Sequence, residues 1–391
     1  MGTLPQRTRR VRAARAVSAI ALWLGLLALP SVLCLLFPGP LSTESLRQHY
    51  PMPFIRGLIQ GGIFVAIVLA IISLALKGQR TRGGIALVLA MCALALGGGD
   101  AQPVEHAFDA PLIGLDFLLL DLFALCLIFV PLERWLGRRQ KVLRAGWHVD
   151  LAHFAASHVA IGVIALLSVA PAHLLFSWVL ESEFRDWVAS LHPVLQFVLV
   201  VLTVEFANYW VHRAFHRVPW LWRLHAVHHS SREMDWLAGS RLHLGDILIT
   251  RAAGFVPVFV LGFEQGPIYA YVLLISFHAV LIHANARIEF GWLDRVLTSP
   301  KFHHWHHADK PEALDKNFAV LVPLWDDLFG TALRTRQWPQ SYGLIDGEMP
   351  ESWAAQFVHP FRRAARAKPE PTPQAQAVVG PPGFEPGTKG L

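Results

Sequence analysis

The chain has 391 residues, of which 54% are hydrophobic and 16% charged, with mean hydropathy +0.41, formal net charge +6 and a pI near 9.5. This composition excludes a soluble pair of domains and describes a polytopic membrane protein in which the bilayer replaces part of the core. The basic residues concentrate in loops between apolar segments, an arrangement that suits an anionic inner leaflet and argues against nucleic-acid binding.

From the N-terminus, Arg7, Arg9, Arg10, Arg12 and Arg15 precede an apolar run over residues 16–37 that is long enough to span. It ends in Leu36-Phe37-Pro38-Gly39-Pro40 with no small-x-small cleavage site, so it reads as an uncleaved anchor. Further apolar segments lie at 57–76, 84–98, 111–132, 152–180, 190–211, 244–262 and 267–284. The expected fold is therefore an all-α membrane protein of about eight transmembrane helices. The third segment is short, and the seventh contains Asp246 and Arg251. With a cytoplasmic N-terminus, inside loops hold eighteen basic residues (at 1–15, Lys77–Arg82, Arg134–Arg144 and Arg213–Arg241) against Arg47, Arg56 and Arg185 outside. The turn Gly262-Phe263-Glu264-Gln265-Gly266-Pro267 makes residues 244–284 a helical hairpin that leaves and re-enters one side.

Twelve of the twenty histidines fall between His212 and His307. They form the groups His212/His216, His225/His228/His229 and His303/His306/His307, with His283 between the last two. Residues three and four apart share a helix face, so each group presents its imidazoles together. Nine such rings exceed the four ligands of one tetrahedral ion and point to two metals in a cytosol-facing, histidine-rich helical cap. Isolated histidines such as His148, His153 and His158 read as structural. His243, His278 and His304 stay open: His304 could replace His303 by a one-residue slip.

These boxes, H-x-x-x-H followed by two H-x-x-H-H, resemble the fatty acid hydroxylase superfamily, also called the sterol desaturase family. The flanks agree: Tyr209-Trp210-Val211-His212-Arg213, Leu221-Trp222-Arg223-Leu224-His225, His283-Ala284-Asn285, Asp315-Lys316-Asn317-Phe318 and Trp325-Asp326-Asp327-Leu328-Phe329-Gly330-Thr331. The last two are most similar to the alkylglycerol monooxygenase branch. The resemblance covers roughly residues 115–332 and implies a membrane di-iron enzyme that uses O2 to hydroxylate or desaturate a lipid. It divides the chain into an N-terminal membrane region (1–110), a di-metal domain (111–337) and a cytoplasmic, largely disordered tail (338–391) in which Arg362–Arg366 could bind a surface. Glu205, two turns deeper than His212 on the same face, is often aspartate in that family; it is expected to receive an imidazole N–H and orient a ring. Asp116 and Asp121 are intramembrane acids without an assigned role.

Two Fe ions with O2 would break an unactivated C–H bond, imidazole being a suitable iron donor. No Gly-rich dinucleotide fingerprint is present, and Cys34, Cys92 and Cys126 make no metal motif, so a separate ferredoxin or cytochrome with its reductase is the expected electron donor. The competing readings are a zinc-dependent membrane hydrolase, which needs fewer ligands, and a metal transporter, which needs ligands near the bilayer midplane. The expected location is a bacterial inner membrane, with both termini and the metal site cytoplasmic.

Overall fold

A computed structural model of the chain describes residues 6–42, 47, 50–76, 80–104, 114–139, 146–176, 182–345 and 347–362. Among the described residues there is no β-strand; besides the single turn Pro38–Leu41, the α-helices are α1 (Gln6–Leu36), α2 (Met52–Ala75), α3 (Arg80–Ala95), α4 (Leu115–Leu136), α5 (Trp147–Val159), α6 (Ile161–Phe176), α7 (Glu183–Ser190), α8 (Pro193–Arg217), α9 (Pro219–His229), α10 (Leu244–Leu261), α11 (Gln265–His283), α12 (Pro300–His306), α13 (Leu324–Leu328) and α14 (Trp353–Val358). The basic loop residues Lys77, Lys141 and Arg144, and the tail from residue 363 with its Arg363–Arg366 end, lie outside the described residues.

Among the described residues, seven helical segments are long and apolar enough to cross a membrane, beginning at Ala14, Met52, Arg80, Leu115, Pro193, Leu244 and Gln265. The span expected over 152–180 is instead the pair α5 and α6, bent by 55°, and the total reaches eight only if that pair is one span. The bend has a chemical basis. The buried α5 residues Asp150 and His153 are tied to the polar layer beyond the bundle: Asp150 pairs with Arg241 at 2.5 Å, and His153 bonds the Leu242 carbonyl and Gln356. The α6 segment is mostly apolar, and its Ser168 hydroxyl bonds only the Ile164 carbonyl of its own helix among the described residues. The hairpin expected at 244–284 is present as α10 and α11, each about 27 Å long at 1.5 Å per residue. Gly262 ends α10 at φ +84°, a left-handed value that an L side chain resists.

The first three helices pack through small residues. Ala21, Ala70 and Ala86 form one fully buried contact, and Ala28, Val32, Ile63 and Ala93 another. Without a hydrophobic drive between helices in lipid, close backbone approach through alanine and glycine supplies the dispersion contact. The α1 residue Leu27 then leans on a larger core of Leu122, Leu125, Phe129, Phe154, Trp236 and Leu237, which joins this bundle to the histidine-bearing half. A second core of Val200, Val204, Val258, Tyr271 and Leu321 binds α8 to the hairpin.

Packing does not stop at residue 337 as the expected tail boundary implied. Tyr342 and Gln356 are buried, and the Phe357 carbonyl accepts from His243, so residues 338–345 and 347–362 pack against the cap. Two neighbouring glycines separate packing from composition. A Cβ on Gly83 would lie 2.9 Å from Ser73 and 3.1 Å from the Ala70 carbonyl, whereas one on Gly84 meets nothing within 4 Å. Gly83→Leu is expected to cost about 1–3 kcal/mol through overpacking, seen as a lower melting temperature in detergent, while Gly84→Leu leaves melting unchanged; equal effects would contradict the small-residue interface.

Candidate metal centre

Four helix ends converge on one polar layer. The last turns of α8 bring His212 and His216, α9 brings His225, His228 and His229, the final residue of α11 is His283, and α12 with its C-cap brings His303, His306 and His307. Local sequence sets these directions. Pro219 begins α9 where its missing N–H costs nothing, and Pro300 does the same for α12, whose cap Ser299 accepts from the Phe302 amide. His212 and His216 are half-buried or less exposed, and the other seven rings are buried.

The nine rings sort into two groups able to hold an ion: His212, His216, His225, His229 and His306, and His228, His283, His303 and His307. Within each group the nearest ring nitrogens lie within 4.8 Å of one another. The sorting follows helix geometry more finely than the shared faces expected from sequence. Pairs four apart (His212/His216, His225/His229, His303/His307) stay in one group, while the residue between them in each H-x-x-H-H box, His228 or His306, crosses to the other. The groups therefore share a wall, with His229 and His307 stacked at 4.5 Å and His306 and His307 at 5.2 Å between ring centroids.

Ring protonation can be read from the outer nitrogens. The Nδ1 of His212 meets the Phe318 carbonyl at 2.6 Å, that of His228 the Arg241 carbonyl at 3.2 Å, that of His283 the Ala279 carbonyl at 2.6 Å and that of His306 the Lys316 carbonyl at 2.7 Å. A carbonyl only accepts, so each Nδ1 carries the proton and each Nε2 presents a lone pair inward. His228 and His283 thus aim two lone pairs at each other across 3.3 Å. That arrangement is repulsive unless a cation lies between such donors. The Nε2 atoms of His216 and His306 are buried without a protein partner, each a cost of about 1–3 kcal/mol if left so. Burial drives the pKa of His225, His228, His229, His303, His306 and His307 well below 6.5, with mutual repulsion among the imidazoliums adding to it. Neutral, inward-facing, nitrogen-only donors in two adjacent groups fit two transition-metal ions.

The carboxylate on this shell is not the expected one. Glu205 accepts from the Tyr271 hydroxyl at 2.9 Å and from the Leu321 and Val322 amides at 2.8 and 3.2 Å, and none of these bonds reaches a histidine. Its place was assigned by spacing along one helix, but the loop 319–322 intervenes. Two acids do meet imidazoles of these groups: Asp315 lies 3.8 Å from His216 Nδ1 and, closer, Asp246 lies 2.7 Å from His225 Nδ1. Asp246 sits in the first turn of α10, where sequence reading took it only as a mark against a span; an acid opening an apolar helix on the histidine side is the signal that could have found it.

The flanking motifs acquire a physical role as a strap. Asp326 accepts from the Phe318 and Ala319 amides and the Thr331 hydroxyl, and Asn317, at φ +59°, bonds the Phe302 carbonyl and both the amide and carbonyl of Leu333. These ties hold the Lys316 and Phe318 carbonyls against His306 and His212. On the other side, the buried Asp150–Arg241 pair fixes the segment whose carbonyl receives His228. Glu133, from the last turn of α4, accepts from the Trp236 and Asn285 amides and anchors the chain on both sides of the second group.

The three open histidines fall outside both groups. His243 caps α10 by accepting from the Gly245 amide, His278 bonds the Thr298 carbonyl, and His304 bonds the Tyr342 hydroxyl at 2.8 Å. Asp121 bonds His158 at 2.9 Å between α4 and α5, away from the groups. Replacing His303 with Ala is expected to lower bound metal in the purified protein, and replacing His304 is not; the reverse would place the slip in the other register. Asp246→Asn should weaken metal retention by about tenfold to a hundredfold, measured by chelator competition. Glu205→Ala should lower melting temperature because it strands buried donors, with metal affinity following only as the strap loosens.

Comparison with known proteins places these features. Residues 197–331 match the fatty acid hydroxylase family. The chain is 31% identical over 182 residues to an ornithine lipid hydroxylase of Rhizobium tropici, 28% over 173 residues to an alkylglycerol monooxygenase of Danio rerio and 25% over 214 residues to a very-long-chain aldehyde decarbonylase of Oryza sativa. These matches cover 46%, 41% and 50% of this chain, and 54%, 36% and 32% of the respective relatives. The chain thus spans about half the length of the first relative and about a third of the other two. No solved structure matches the chain. The histidine layer lies within the stretch that matches the fatty acid hydroxylase family, and over that stretch the chain is similar to an ornithine lipid hydroxylase and to alkylglycerol monooxygenases.

Proposed function

We propose that the protein is a membrane-bound di-iron oxygenase that hydroxylates the alkyl or acyl part of a lipid. The observation that carries the reading is the pair of adjacent, all-imidazole groups sharing the His228/His229 and His306/His307 wall. One group takes His212, His216, His225, His229 and His306, the other His228, His283, His303 and His307. Bound iron would supply the oxidising power that O2 and two electrons provide for cleaving an unactivated C–H bond, with one oxygen atom entering the product and the other leaving as water after two protons are taken up.

The chain's own residues hold and shield that chemistry. The Phe318, Lys316, Arg241 and Ala279 carbonyls and the Asp246 carboxylate fix ring orientation, so little reorganisation accompanies the change of charge at the centre. Burial of seven of the nine rings excludes water from the reacting region. A hydrocarbon substrate reaches the layer from the bilayer along the ends of α8, α10 and α11. The relatives are named for an ornithine lipid, an alkylglycerol and a very-long-chain aldehyde, which supports a lipid of long chain and polar end. The positive-inside bias of the loops supports a cytoplasmic metal layer in a bacterial inner membrane, within reach of a ferredoxin or a cytochrome with its reductase as donor.

The test is lipid analysis of cells expressing the protein under isotopically heavy dioxygen, with a His228→Ala variant beside it. Wild-type cells are expected to accumulate a lipid that carries one heavy oxygen, and the variant none. A product that has lost two hydrogens without gaining oxygen would make the reaction a desaturation, and either an unchanged lipid profile in wild-type cells or equal labelling by the His228→Ala variant would overturn the reading.

A further inference from the structure

Three basic side chains meet where the tail turns back onto α9. The short turn His359–Phe361 packs on that helix, and the Phe361 ring lies 5.7 Å from the ring of His243, the residue that caps α10. Arg362 follows directly, its amide bonded to the His359 carbonyl at 3.2 Å. Arg223 approaches from α9. Partial burial, and then the charges of Arg362 and Arg223, hold the His359 imidazole below 6.5. Both arginines are exposed, and neither guanidinium makes an ion pair or a hydrogen bond with the described residues. Elsewhere in the cap Arg139, Arg217, Arg241 and Arg334 each meet a carboxylate, so the convergence of unmatched cations is particular to this turn. The surroundings are apolar and open: Phe361 is 71% exposed, Trp220 60% and Val358 43%. Trp220 and Arg223, three apart on α9, share a face. The location is the end of two spans, because α9 begins two residues after the spanning segment Pro193–Arg217 and the turn leans on the cap of the segment Leu244–Leu261. Exposed aromatic rings beside arginines at the ends of spans are the composition of a membrane–water interface.

We propose that Arg223, His359 and Arg362 form a binding site for the phosphate of one anionic phospholipid, whose hydrocarbon lies against Trp220 and Phe361. Two guanidiniums and an imidazole N–H supply donors to phosphate oxygens, which only accept. Cations that converge without an acid favour an anionic head group over a zwitterionic one, whose ammonium brings like charge into the site. The exposed rings favour a lipid over a soluble phosphate, since only the lipid brings hydrocarbon to cover them. This is one site of defined residues, distinct from the diffuse attraction of basic loops to an anionic leaflet. The inference stands apart from the oxygenase reading, since none of its residues belongs to either metal group.

The experiment takes the full chain, stripped of lipid in a non-ionic detergent, and titrates it with dioleoylphosphatidylglycerol, dioleoylphosphatidylcholine or inorganic phosphate. Native mass spectrometry reads the bound species, with melting temperature and bound metal recorded beside it. One phosphatidylglycerol per chain is expected to bind about tenfold tighter than phosphatidylcholine. Arg223→Gln and Arg362→Gln should each weaken that binding about fivefold, whereas Arg295→Gln, at an exposed arginine of another loop, should leave it as it is. Melting temperature and bound metal stay unchanged in the two site variants, which separates lost lipid from lost structure. Equal binding of the two lipids, or an equal loss in Arg295→Gln, would overturn a defined site. Displacement of the bound lipid by inorganic phosphate at comparable concentration would make the ligand a soluble phosphate and overturn the lipid assignment.

Discussion

The structure depends on keeping neutral imidazoles pointed at one another. Two lone pairs 3.3 Å apart on His228 and His283 repel, and water is excluded from the layer that contains them. Such a layer holds when rings on both sides are pinned from behind and the charge in front is supplied by an ion. The pins are backbone carbonyls of residues distant in sequence: Phe318 and Lys316 for one group, Arg241 and Ala279 for the other. Much of the remaining polar architecture exists to hold those carbonyls still. Asp326 and Asn317 secure the strap, Asp150 secures Arg241, and Glu133 secures the chain beside His283. Each is a buried acid or amide that would be costly alone and is satisfied by backbone amides or an arginine.

This dependence explains which features could be read from the chain alone. Helical spacing was legible because it is local: the three boxes, the hairpin of α10 and α11 and the choice of His303 over His304 all follow from residues within one or two turns. The crossing of His228 and His306 between groups was not legible, since it depends on where the facing helix places its own rings. Glu205 illustrates the same limit. Its spacing from His212 is correct for a common face, yet the loop carrying Leu321 and Val322 reaches it first, and the imidazole partner comes from Asp246 on another helix. The motifs around Asn317 and Asp326 were visible as a resemblance without a reason; hydrogen bonds across 14 to 16 residues supply it.

The membrane half follows a different physics. The first three helices meet through alanine and glycine, and their seam with the rest runs through Leu27 against the α4 core. The bent pair α5 and α6 lies where the two regimes meet. Its first helix is pulled into the polar layer by Asp150 and His153, and its second is left to the lipid, which is why a continuous apolar stretch did not become a straight span. One chain thus combines a lipid-soluble scaffold, tolerant of smooth apolar change, with a cap in which single polar substitutions propagate.

The most direct test of the account is the metal itself. Purified, detergent-solubilised protein from cells grown with ample enriched iron should contain two irons per chain and give the Mössbauer signature of a coupled pair, with both lost together in a His229→Ala variant because His229 stands at the shared wall. One ion per chain, or zinc in place of iron under the same growth, would contradict a di-iron centre built from the two histidine groups.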